Sequence, residues 1–156
     1  MKFKKEVQKY FENSGWFEGR NVKSKFDKIK GFENFPQFLK DFLYEYGDLE
    51  VETHKYNKND VTGIMNFKAL TKGIYKIGGF LKNPRYYGNT FTFPIAYYLL
   101  DNAGLECDAD GKVYMSGDFP CLVSDDFKTG IEKVIMEDYS DTFGWNPETQ
   151  MWEKDY

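Results

Sequence analysis

At 156 residues the chain has the length of one domain, enough to bury about 70 % of its unfolded surface without a disulfide or metal staple. Its 15 Phe and 12 Tyr make rings the main core material, and two cysteines with a single histidine exclude a zinc site of ordinary ligand type. The net charge of −4 is unevenly placed: residues 1–72 carry 14 Lys/Arg against 11 Asp/Glu and residues 73–156 carry 7 against 14, so the acidic second half disfavours nucleic acid and suits a basic protein.

The amino terminus opens on an amphipathic helix over about residues 3–13, with Phe3, Val7, Tyr10 and Phe11 on one face and no signal peptide or anchor ahead of it. Gly15-Trp16-Phe17-Glu18-Gly19-Arg20 follows. Gly15 suits a left-handed cap, Trp16 a mostly buried site with an acceptor for its indole N–H, and Gly19 a second turn. Arg20 then presents a planar fork of donors to a carboxylate or to backbone carbonyls. A basic stretch through Lys23, Lys25, Lys28 and Lys30 leads to a second helix. That helix opens near Pro36, places Phe38, Leu39, Phe42, Leu43 and Tyr46 on one face, and stops at Gly47.

Alternation then replaces the helical period. Leu49, Val51 and Thr53 point one way and Glu50, Glu52 and His54 the other, predicting a half-buried strand. A polar turn over 56–60 and a second strand over Ile64–Leu70 complete a hairpin. Residues 73–100 are ambiguous: Ile74–Ile77 reads as strand or helix end, and Phe93–Tyr98 as a buried edge strand or a helix opening at Pro94. Leu105–Cys107 and Lys112–Met115 form a second hairpin reversed at Asp110-Gly111. The last helix begins at Ser124 as N-cap and carries Phe127, Ile131, Val134 and Ile135 on its core face. A tail from Asp141 brings Phe143, Trp145, Trp152 and Tyr156.

Catalytic apparatus is not legible in these residues. Glu106, Asp108, Asp110 and Gly111 match the first positions of a calcium loop, but Gly117 occupies the place of the closing glutamate and the flanks are strands, so a plain hairpin turn is expected. His54 has no nucleophile to serve, and Gly78-Gly79 lacks the Lys-Ser/Thr of a phosphate loop. Cys107 and Cys121 read as reduced thiols of a cytoplasmic protein, and the longest apolar run, Phe93–Leu100, is too short to span a bilayer.

The order of features resembles the third subgroup of the SUKH superfamily of bacterial immunity proteins. The matching pieces are Gly15-Trp16 with Gly19-Arg20, the helix ending Glu45-Tyr46-Gly47-Asp48-Leu49, Phe93-Pro94-Ile95, and Asp110-Gly111-Lys112-Val113-Tyr114. Asp48 stands where that pattern has a second glycine, Ala96 replaces the glycine after Pro-Ile, and Lys112 replaces an arginine. The resemblance implies an α+β fold, a single domain whose curved, mainly antiparallel β-sheet is flanked by helices. It also implies neutralisation, by binding, of toxins encoded beside the immunity gene, often nucleases or deaminases, without a catalytic set or cofactor. Gly15, Trp16, Gly19, Arg20, Gly47, Gly111 and Tyr114 are then fold determinants.

The expected organisation is an immunity domain over 1–140 with an aromatic tail, 141–156, packed on it. The expected partner is a cognate toxin, basic in character, met by Asp108, Asp110, Asp118, Asp125, Asp126, Glu137, Asp138 and Asp141, with Trp145 and Trp152 as aromatic anchors. A monomer or weak homodimer without nucleic-acid or membrane attachment fits this reading. The alternative is a non-catalytic regulatory or scaffold module.

Overall fold

Helices form where apolar side chains recur at three- and four-residue spacing, and each buries that stripe. The computed structural model describes residues 1–56, 61–74, 90–154 and 156. Among these, α1 (Lys5–Asn13) buries Val7 and Phe11, and a short α2 (Lys23–Asp27) buries Phe26. A 3-10 turn (Phe32–Asn34) precedes α3 (Gln37–Tyr46), which buries Leu39, Phe42, Leu43 and Tyr46. The last helix, α4 (Phe127–Ile135), buries Phe127, Ile131, Val134 and Ile135. Its N-cap is Asp126 rather than Ser124: the Asp126 carboxylate accepts the Thr129 N–H at 2.9 Å, while the Ser124 hydroxyl, two residues before, accepts the Asp126 N–H at 3.1 Å. These two bonds together define the helix entry.

Eight strands form one antiparallel meander in sequence order: β1 (Glu50–Tyr56), β2 (Val61–Asn66), β3 (Phe93–Tyr98), β4 (Ala103–Cys107), β5 (Val113–Met115), β6 (Cys121–Ser124), β7 (Phe143–Asn146) and β8 (Met151–Glu153). The predicted alternation holds in β1, where Val51 and Thr53 are buried and Glu50 and Glu52 exposed. Bulges at Glu52/His54, Pro94/Ala96 and Val113/Tyr114 bend their strands. Phe93–Tyr98 is a strand flanked on both sides, not an edge, and Pro94 is accommodated because the bulge relaxes the ladder there. The second strand ends at Asn66 rather than Leu70, because the Asn66 side chain accepts the Lys68 N–H at 2.9 Å and turns the chain out of the sheet. The turn expected over 56–60 falls largely outside the described residues, as do the Ile74–Ile77 strand-or-helix alternative beyond Ile74 and the His54 side chain.

The main core lies between the helices and one face of the sheet. Phe3, Phe11, Phe42 and Tyr46 meet there with ring centroids 4.6–6.5 Å apart, and Phe67 and Phe127 extend the cluster. A smaller cluster, Tyr114 and Trp145 with Leu122 and Trp152, covers the opposite face of β5–β8. The tail thus forms a hairpin over 143–153 that continues the sheet, with β7 paired to β6 and Trp145 opposite Trp152.

Candidate protein-binding surface

The Gly15–Arg20 corner is built inward. Gly15, at φ +117°, lets its N–H reach the Glu12 carbonyl and the Trp16 N–H reach the Phe11 carbonyl, a paired closure of α1 that a residue with a side chain adopts only under strain. Trp16, buried, stacks on Tyr46 with centroids 5.7 Å apart and donates its indole N–H to the Glu45 carboxylate at 3.0 Å. Arg20 donates to the Glu45 carbonyl at 2.7 Å and faces the Asp48 carbonyl at 3.5 Å. Its fork therefore closes the C-terminus of α3, a cation on the negative end of a helix. Gly47 is required for a different reason: a Cβ there would lie 2.4 Å from both the Phe26 ring and the Leu43 carbonyl. The left-handed position is its neighbour Asp48, at φ +60°, whose carboxylate accepts from Lys25 at 2.6 Å and Thr71 at 2.7 Å. Burial opposes ionisation of Asp48, yet these two donors hold its carboxyl below the ordinary value.

The Asp108–Tyr114 turn is also closed on itself. One Asp108 oxygen accepts the Asp110 and Lys112 N–H groups, at 2.9 and 3.0 Å, and the other accepts the Tyr114 hydroxyl at 2.8 Å. Burial, reinforced by that carboxylate, pushes the Tyr114 phenol far above its usual range. Burial likewise raises the Cys107 and Cys121 thiols, which are both free, so neither is an activated nucleophile.

This geometry engages four of the expected partner residues within the fold. Asp108 is buried and holds the turn. Glu137 turns inward, its carboxylate accepting the Thr53 hydroxyl at 3.0 Å and also the Tyr98 hydroxyl. Trp145 is buried against Trp152, 5.1 Å away, and Trp152 is half-buried against Tyr114, so the two indoles cover the sheet rather than face solvent. Asp110, Asp118, Asp125, Asp126, Asp138 and Asp141 remain exposed. They do not form one patch. In the meander, successive turns alternate between ends, so Asp110 lies at the end opposite Asp118, while Asp125, Asp126 and Asp141 line a shallow recess beside Phe143.

The feature that charge patterning overlooks is Phe119. It lies in the β5–β6 loop, 93 % exposed. Grooves of 890 and 330 Å³ are both lined by this loop, the first shared with the β7–β8 hairpin and Tyr156, the second with Asp101 and Tyr139. Its sequence signal was the small Ser116-Gly117-Asp118-Phe119-Pro120 loop, a single aromatic without helical or strand periodicity around it.

A family model described as SUKH-3 immunity protein matches residues 3–137. The chain belongs to the SUKH-3 immunity protein family. Comparisons with curated proteins and with solved structures each return no match. Membership assigns the chain an immunity-protein role, and the inward-turned Gly15–Arg20 corner lies inside the SUKH-3 match, together with the Asp108–Tyr114 turn. Among the described residues of this SUKH-3 chain no helix is long and apolar enough to cross a membrane.

Proposed function

We propose that this chain is a cytoplasmic, non-catalytic immunity protein that neutralises one cognate toxin domain, such as a nuclease or deaminase, by stoichiometric binding over its active site or substrate groove. The observation that carries the proposal is the family match across residues 3–137. Charge supports it: Asp110, Asp118, Asp125, Asp126, Asp138 and Asp141 stay exposed on the acidic half and create a field that draws in a basic partner. The carboxylates buried or half-buried in the fold are engaged there, Asp108 in its turn, Glu106 by the Thr92 hydroxyl and half-buried Asp48 by Lys25 and Thr71, which favours a structural role for them over a catalytic one.

The free protein is a monomer or weak homodimer with no role for nucleic acid or membrane. The test is co-expression with the toxin domain encoded beside it. Cells carrying both grow, cells carrying the toxin alone do not, and a purified mixture elutes as a one-to-one complex. Growth arrest despite full expression of the immunity chain would remove the proposal.

A further inference from the structure

Scattered exposed apolar side chains are ordinary on a soluble domain. Phe119 is not scattered. It is the most exposed large apolar residue among those described, and its loop is tied to β7: the Pro120 carbonyl after it accepts the Trp145 N–H at 3.2 Å. Three turns of the meander, over 99–102, 116–120 and 147–150, lie at the same end of the sheet. They bring exposed Leu99 and Leu100 to that end, with open grooves lined by the Phe119 loop.

Each of these three turns carries one charged side chain, and all three are acidic. Asp101, Asp118 and Glu148 are exposed and make no ion pair among the described residues, whereas Lys154, which lines the larger groove, is paired with Asp141 at 3.5 Å. An exposed aromatic between grooves, with a rim of carboxylates that make no ion pair among the described residues, has the composition of an interface anchor. The next most exposed phenylalanine among the described residues, Phe17, lines none of these grooves and stands next to the Lys2–Glu18 ion pair.

We infer that this end of the sheet seats the toxin, with Phe119 entering an apolar socket that the toxin rings with Lys or Arg. The inference rests on the immunity reading and adds the contact face and the chemistry of the partner. Phe119 is a recognition anchor and Asp101 and Asp118 are its charge-matching rim.

The probe is the toxin domain encoded in the adjacent reading frame, titrated against the full chain and three variants: Phe119→Ala, Asp118→Lys and Phe17→Ala. All three side chains are exposed, so thermal midpoints stay at the wild-type value. Phe119→Ala weakens binding by roughly thirtyfold or more, as truncating a central anchor does. Asp118→Lys slows association several-fold at low salt, with the difference shrinking as salt rises, and Phe17→Ala binds as wild type. Wild-type binding that persists within twofold in both Phe119→Ala and Asp118→Lys overturns the inference and leaves the immunity role standing. A wild-type chain that neither binds nor protects overturns the role itself. A homodimer that depends on Phe119 and survives toxin addition assigns the face to a second copy, and also overturns the inference.

Discussion

At the residue scale, Trp16, Arg20 and Asp48 meet at the C-terminus of α3, and each has a separable job. Trp16 supplies apolar area against Tyr46, so Trp16→Ala lowers unfolding free energy by about 3–5 kcal/mol in chemical denaturation. Arg20 donates to a carbonyl rather than to a buried carboxylate, and its removal costs less, about 1.5–3 kcal/mol by the same measurement. Asp48 carries a pH signature. Because its folded pKa lies below the ordinary carboxylate value of about 3.9, its charge stabilises the fold fully above that value and loses its effect as pH falls through the lower, folded one. Asp48→Asn keeps a residue tolerant of positive φ but removes the charge, so its stability deficit at pH 7 shrinks on acidification towards pH 3. A deficit independent of pH would assign the effect to backbone shape alone.

At the element scale, close approach governs the α2–α3 junction. Gly47→Ala forces a Cβ into the Phe26 ring, and a loss of about 1–3 kcal/mol or more is expected even though alanine is an easy residue for the backbone φ of −69° found there. The helices and β1 were legible in the sequence because their periodicity and their burial have the same cause: Leu39, Phe42, Leu43 and Tyr46 recur at helical spacing since one face meets the core. The end of β2 was not, because a single side-chain bond from Asn66 to the Lys68 N–H ends the strand within an apolar run that continues to Leu70. The fates of Asp108 and Glu137 were illegible for a related reason. An exposed and an inward-turned carboxylate look alike until the donors around them are placed, here the Tyr114 hydroxyl by the β4–β5 hairpin and the Thr53 hydroxyl by the packing of the segment after α4 against β1. Trp145 misled in the opposite direction, since a polar tail conceals that β7 lays the indole over Tyr114's cluster; Trp145→Ala lowers the melting temperature clearly, where an exposed tail residue would leave it unchanged.

For the whole molecule, one meander joins a structural interior to a surface with polarised charge. Trp16, Arg20, Gly47 and Tyr114 are engaged inside the fold, while the acidic exposed side chains and Phe119 belong to turns and helix ends. Association with a basic toxin should therefore slow several-fold between low and physiological salt, with dissociation little changed, in stopped-flow mixing. The most direct measurement is titration of the purified toxin domain's activity with this chain. Direct stoichiometric neutralisation predicts a linear fall to zero at one immunity chain per toxin, with the toxin recovered intact after denaturing separation. Activity that disappears at a small fraction of an equivalent, or persists beyond several equivalents, would contradict the account.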